Sequence, residues 1–387
     1  MKHWLLLFAL IVPLLAACGG APAPAPAATN VPAAATGDTD APATTDTDGV
    51  DRSQLADQLF FYTWSDYIDP QILEDFEAEY GVRVVVDLFD SNEAMIPRIR
   101  AGNSGYDIVV PSDYAVQSMV LDGLLAPLDK SLLTNIGNLD PDLMNLYFDP
   151  GNEYSIPYFW GTSGIAYNQK FFDTPPTSWS AIFEPAELAK INNRFTMLED
   201  PREVPGAALI YKGHSVNTTD TAVLAEVQEL LIAQKPFVAS YDSSNVNFKL
   251  ATEEIILAHA WSGMAGQAMY GIDDKPGNPD IKFVIPDEGG VIWMDNLAIV
   301  FDSPNKYTAH VFINYLLRPE VAAQNTDWVL YLTPNAAAHD LLSEDTLALY
   351  EAGLEPDEET MMRLQWIERN AQTDELFSDL WTRVTAQ

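Results

Sequence analysis

From residue 57 onward, apolar positions recur with two alternating periods. LFFYTW (59–64) is a continuous apolar run of strand length. PQILEDFEAEYG follows, with Ile72, Leu73, Phe76 and Tyr80 near helical spacing and Gly81 as a stop. VRVVVDLF (82–89) reads as a second strand. Asp90 and Glu93 then flank Ser91-Asn92 at capping-box spacing, predicting a helix to Arg100 that ends at Gly102. YDIVV (106–110) is a third strand. A β-α-β-α-β succession predicts a parallel sheet covered by helices, hence an α/β fold. EIILAHAW (254–261), IKFVIP (281–286) and VIWMDNLAIV (291–300) predict further strands. Residues 306–318 and 373–385 predict amphipathic helices, the second carrying Leu376, Phe377, Leu380, Trp381 and Val384.

The N-terminal pattern differs. Lys2 and His3 precede WLLLFALIVPLLAA (4–17), an apolar stretch of signal-peptide length that is short for a bilayer span. Leu15-Ala16-Ala17-Cys18-Gly19 resembles a bacterial lipobox, in which the cysteine becomes the lipidated first residue. Residues 1–17 are therefore expected to be a lipoprotein signal peptide, and Cys18 the site of a membrane anchor. Cys18 is the single cysteine, so the chain has no internal disulfide, thiolate metal cluster or cysteine nucleophile. Residues 19–52 hold no aromatic and are mostly Ala, Pro, Thr and Asp, so 18–52 is expected as a disordered tether. The folded part is thereby placed outside the cytoplasm, beside the membrane.

Charge narrows the partners. The 387 residues carry 20 Lys and Arg against 56 Asp and Glu, a net charge of −36. Nucleic acid and anionic lipid surfaces need basic partners and are excluded. Solubility alone accounts for much of such a charge. In open α/β sheets, however, ligands sit beyond the carboxyl ends of strands, and those ends share one chemistry here. Trp64-Ser65-Asp66-Tyr67 follows the first strand; Ser112-Asp113-Tyr114 follows the third. Asp200 and Glu203 follow FTML, spaced to share a face if a helix begins there. Trp261 ends EIILAHAW, and Trp293 and Asp295 share one face of VIWMDNLAIV.

Aromatic rings attract ammonium groups and cover methylenes, and carboxylates accept charge-assisted hydrogen bonds. The set suits an elongated organic cation rather than an all-carboxylate calcium cage, and no metal is expected. The rival is a glycoside hydrolase with a carboxylate pair and sugar-stacking rings. Little else supports an enzyme. The five histidines show no metal-ligand spacing, Gly161-Thr162-Ser163-Gly164 lacks the spacing of a nucleophile elbow, and no P-loop or G-x-G-x-x-G implies a cofactor.

YTWSDYIDP, FDSNEAM, YDIVVPS, NLDPDLMN, YSIPYFWGTSGIAYN, GGVIWMD and NYLLRPEVA together resemble the spermidine/putrescine-binding proteins of bacterial ABC transporters. The resemblance runs from about residue 59 to 340 and continues weakly to the end. It implies a two-lobed periplasmic-binding-protein fold of type II, each lobe a mixed sheet flanked by helices. Lobe 1 would comprise 57–162 plus about 295–340, and lobe 2 163–294 plus about 341–387. The ligand would lie in the cleft between them, and the lobes would close on it by a hinge. The protein, expected to act as a monomer, would capture a polyamine without chemistry and deliver it to membrane permease subunits.

Carried over by motif, the ligand-binding set is Trp64, Ser65, Asp66, Tyr67, Ser112, Tyr114, Asp200, Glu203, Trp261, Trp293, Asp295 and Tyr331. Asp113 is an additional acid in the second loop, read as a solvated loop end in preference to a ligand contact. A gap-free placement on Trp366 puts Ile367 where the family's spermidine binders carry a glutamine, with Gln365 close by. WSDY is closer to putrescine-type members; EDPREV and IWMD are closer to the spermidine type. A receptor or sensor for another organic cation stays open as the alternative.

Overall fold

A computed structural model of the chain describes residues 49–272, 275–368 and 371–386. The signal peptide, Cys18 and most of the expected tether lie outside the described residues. The body begins earlier than composition predicts. Val50 is buried, and the backbone N–H of Asp51 donates to the Tyr307 hydroxyl at 2.7 Å. A short helical turn, Arg52–Gln54, follows. The tether boundary expected at residue 52 is thus corrected, because one apolar side chain and one long-range hydrogen bond fix these residues.

Twelve strands are described: β1 (Gln58–Thr63), β2 (Arg83–Leu88), β3 (Ile108–Val109), β4 (Ser155–Asn168), β5 (Phe195–Met197), β6 (Ser240–Tyr241), β7 (Leu257–Trp261), β8 (Gly271–Ile272), β9 (Lys275–Pro276), β10 (Ile281–Val284), β11 (Gly290–Ile299) and β12 (Leu364–Trp366). The main sheet runs β2-β1-β3-β11-β4-β7-β5-β6, with β12 beside β11 and β10 beside β4. β1 pairs parallel with β2 and β3, as the β-α-β-α-β pattern predicts. β5 pairs parallel with β6 and β7, forming a second parallel sector. The two sectors are joined by β4 and β11, which run antiparallel to each other.

β4 is the longest strand, and the periodicity above did not predict it. Gly161 and Gly164 interrupt its apolar pattern for steric reasons. A Cβ at Gly161 would lie 2.7 Å from both the Ser262 hydroxyl and the Trp293 ring; one at Gly164 would lie 2.5 Å from the Val284 carbonyl. Small residues here let neighbouring chain approach closely.

The helices follow their apolar stripes. The Pro70–Tyr80 helix buries Ile72, Phe76 and Tyr80 and ends at Gly81, whose φ of 72° supplies the left-handed cap. Phe76 meets Phe312 edge-on at 4.8 Å, and Phe312 meets Phe61 of β1 at 5.7 Å. The helix predicted over 306–318 spans Lys306–Leu316. The C-terminal helix spans Ala371–Thr385 and buries Phe377, Leu380 and Val384. The Asn92–Arg100 helix is capped by Ser91, which accepts from the Ala94 N–H at 3.2 Å, rather than by Asp90 as its spacing suggests. Asp90 instead accepts from the Ser244 hydroxyl at 2.8 Å, linking the loops after β2 and β6.

Candidate functional site

The carboxyl ends of β1, β3, β5 and β7 meet the middle of β11 around a cavity that opens to solvent. All twelve residues expected from the sequence line it. The loop after β1 supplies Trp64, Ser65, Asp66 and Tyr67, and the turn after β3 supplies Ser112 and Tyr114. Asp200 and Glu203 lie beyond β5, Trp261 ends β7, and Trp293 and Asp295 share a face of β11. Tyr331 follows the Pro319–Val329 helix.

Two of these groups are delivered through unfavourable backbone. Asp66 has φ 51°, and Leu330, just before Tyr331, has φ 62°. Left-handed conformations in such residues persist where the surroundings over-determine them, and they cluster at functional sites. Gly263 stands directly against the Tyr331 ring, leaving no room for a Cβ.

Asp295 is the most elaborately held acid. The pairing of β11 with β4 shifts register between Asp295 and Asn296, the local irregularity that re-aims a side chain. Asp295 also bridges to Ser112, and the Asn296 N–H donates to the Pro111 carbonyl at 2.9 Å. The Tyr67 and Ser112 hydroxyls each donate to one carboxylate oxygen at 2.6 Å. Ser112 thereby forgoes capping its own helix, Asp113–Leu121, which has no side-chain cap. Asn92 supports Ser112 from behind, its amide donating to Ser112 Oγ and to the Tyr114 hydroxyl at 3.0 Å each. Burial pushes the Asp295 carboxyl up to about 6, while the two donors oppose that rise.

The second acidic group differs. Asp200 Oδ1 accepts from the backbone N–H of Arg202 at 2.7 Å and of Glu203 at 2.8 Å, setting up the Glu203–Tyr211 helix. Trp261 Nε1 donates to Glu203 Oε1 at 3.3 Å. Burial, then the Asp200 charge, pushes the Glu203 carboxyl up to about 8; burial also raises Asp200. Arg202 lies beside them but turns away, stacking over Phe377 at 4.4 Å and donating to the Glu368 carbonyl at 3.2 Å. Among the described residues lining the cavity there is no Lys, Arg or His.

Rings close the remaining walls. Trp293 and Tyr331 meet edge-on at 5.4 Å, Tyr67 and Tyr331 at 5.3 Å, and Trp64 and Trp261 at 6.0 Å. The arrangement offers acceptors and ring faces, the features that bind ammonium groups on an apolar chain. Among the described residues, no group of three or more His, Cys, Asp or Glu is placed to hold a metal ion.

The expectation for Asp113 is corrected. It is buried and lines the cavity, because the Ser112–Asp295 bridge draws the turn against β11. Ile367 also lines the cavity, its carbonyl accepting from the Tyr147 hydroxyl at 3.0 Å. Gln365 lies elsewhere, accepting from the Val216 N–H at 3.1 Å. The sequence-based list omitted Phe89, Asp90, Asn92, Ser243, Ser244, Asn247, Met264 and Gln267. Of these, Phe89, Asp90 and Asn92 follow β2, and Ser243 and Ser244 follow β6, as the strand-end rule expects, whereas Asn247, Met264 and Gln267 lie on helices.

Comparison with known proteins agrees with this geometry. The family model for bacterial extracellular solute-binding proteins matches residues 71–350. The spermidine/putrescine-binding periplasmic protein of Salmonella typhimurium is 36% identical over 332 residues, covering 85% of this chain and 92% of that protein. The putrescine-binding periplasmic protein SpuD of Pseudomonas aeruginosa is 38% identical over 344 residues, covering 86% and 93%. The solved structure of a putative spermidine/putrescine ABC transporter from Listeria monocytogenes superposes with a TM-score of 0.79 at 37% identity, over 85% of this chain and 99% of that one. These relatives are binding proteins rather than enzymes, and their two-lobed α/β fold is the one the resemblance implied. The chain therefore belongs to the bacterial extracellular solute-binding proteins, alongside the spermidine/putrescine-binding periplasmic proteins of ABC transporters.

Proposed function

We propose that this protein is the substrate-binding lipoprotein of an ABC importer, capturing spermidine or putrescine in the cavity and delivering it to the permease. One observation carries the reading: buried carboxylates and aromatic rings line a single cavity whose described walls hold no Lys, Arg or His. Ammonium groups meet Asp295 and the Asp200–Glu203 pair, while Trp64, Trp261, Trp293, Tyr67 and Tyr331 cover the methylenes. Each charge-assisted hydrogen bond contributes about 1.5–3 kcal/mol, and each buried CH₂ about 0.8 kcal/mol. Together these exceed the roughly 8 kcal/mol of a micromolar site, with a surplus for association and ordering costs.

The lobes of this reading are 57–162 with about 295–340, and 163–294 with about 341–387. Two features support it: β4 changes partner from β11 to β7 at Thr162 and Ser163, and the Asp90–Ser244 hydrogen bond joins loops from the two parallel sectors. Cys18 supplies the lipid anchor, and the tether its reach. A melting-temperature panel of polyamines, amino acids and sugars tests the function, since a ligand of the folded state raises apparent stability. The expected result is a rise with spermidine or putrescine. A rise with sugars alone returns the carboxylate-pair hydrolase, and a rise with a different organic cation alone returns the alternative receptor.

A further inference from the structure

We propose that Asp113 gives this cavity a further charged contact and so selects a polyamine with three ammonium groups over one with two. The proposal rests on the polyamine reading above. Four carboxylates in the cavity wall are buried: Asp113, Asp200, Glu203 and Asp295. The buried guanidinium of Arg202 lies outside the cavity wall and shares its charge among Asp374, Glu93 and Asp200. Asp200 and Glu203 sit together, so the buried wall offers a ligand three acidic positions, the Asp200–Glu203 pair, Asp295 and Asp113, beside the part-buried Asp66. A triamine meets all three. A diamine leaves one of them unmet, so that acid keeps its proton and its charge-assisted contact is lost.

Asp113 and Glu203 each keep one buried carboxylate oxygen without a hydrogen-bond partner, and Asp113 is the more deeply buried of the two. It is 1% exposed. Its Oδ1 accepts from the Tyr114 N–H at 2.7 Å; its buried Oδ2 makes no hydrogen bond of ordinary geometry, while the backbone N–H of Met294 also favours its charged form. Buried polar atoms are nearly always satisfied, so such an exception calls for an explanation. The charged groups acting on it come from two other elements, Asp295 of β11 and Glu203 of the 203–211 helix, and both are acids. The first turn of its own helix offsets part of the cost, since a helix N-terminus favours a carboxylate. Burial, opposed by the Tyr114 and Met294 N–H groups and reinforced by the two acids, raises its proton affinity, so the proton leaves as an ammonium arrives.

Calorimetric titration of the full chain with spermidine and with putrescine tests this, in wild type and in Asp113→Asn. Asparagine keeps an oxygen for the Tyr114 N–H and matches the neutral form of the acid, so the fold is retained. Wild type should prefer spermidine by about tenfold or more, the value of one charge-assisted contact. Asp113→Asn should lose about tenfold or more for spermidine and about threefold or less for putrescine, so the preference collapses. Asp113→Thr, shorter and uncharged, repeats the test in a second shape. A spermidine preference surviving in either folded variant overturns the proposal, as do equal losses for both ligands or a wild-type preference for putrescine. Absence of heat from both ligands in wild type overturns the polyamine reading itself, and the role of Asp113 with it.

Discussion

Asp107 and Asp113 lie just before and just after the same short strand, β3, and both are buried. Asp107 is fully used by the fold. Its carboxylate accepts from the Phe60 N–H at 2.9 Å, the Ser303 hydroxyl at 2.6 Å and the Asn305 amide at 3.2 Å. Asp149 is of the same kind, accepting from the N–H groups of Glu153, Tyr154 and Ser155. Asp113 faces the cavity with one oxygen unpartnered. A buried carboxylate costs free energy that hydrogen bonds must offset. Where the chain supplies every donor, the acid ties segments together. Where it does not, as at Asp113 and Glu203, the acid fits a role in binding. The two ends of one strand thus separate structure from function.

The strongest way to break this contrast is Asp107→Ala. It strands three donors, at about 1–3 kcal/mol for each that stays buried, so stability should fall by roughly 3 kcal/mol or more. Denaturant unfolding reads that loss, and polyamine affinity of the folded fraction should be unchanged. Asp295→Asn is the converse. Affinity should drop by about 2–4 kcal/mol by calorimetry, since a cation would face a neutral amide, while stability holds or rises. Unchanged affinity would show that the centre of the site is misplaced.

Acidity sharpens the contrast further. Burial, then the neighbouring Asp200 charge, pushes the Glu203 carboxyl up to about 8 in the folded protein, well above the ordinary value of a free glutamate. The folded state thus keeps a proton that the unfolded state releases, so the Glu203 contribution to stability falls as pH rises from about 4.5 to 8. Comparing the unfolding free energy of wild type and Glu203→Gln across that window isolates this residue. The variant should gain on wild type as pH rises, and a flat difference would remove Glu203 from the buried acid pair. The smallest effect belongs to Ser244→Ala. It removes an exposed hydrogen bond to Asp90, and affinity should fall by about 0.5–1 kcal/mol or less.

Much of this was legible in the sequence, because strand ends and alternation are local. Trp293 and Asp295 share a face through the period of two. Trp64 to Tyr67 stand where an apolar run stops. Asp113 escaped because its burial depends on a bridge to Asp295, far along the chain. In sequence, a serine and an acid after a strand look like a cap, and only pairing with β11 reveals that Ser112 spends its hydroxyl elsewhere. Gln267 was hidden for the same reason. It receives from Asn247 at 2.7 Å and donates to the Val329 carbonyl at 2.9 Å, contacts that no local pattern encodes. Val50 shows the reverse error. Composition describes a tether well but does not mark where one apolar residue begins to pack. β4 was missed because its glycines, required by Ser262, Trp293 and Val284, erase the periodicity that marks a strand.

The central claim is capture of a polyamine, and calorimetric titration of the full chain with spermidine and putrescine tests it most directly. The account predicts saturable binding of one polyamine per chain, at micromolar dissociation constant or tighter, about 8 kcal/mol or more. Absence of heat with every common polyamine would contradict it.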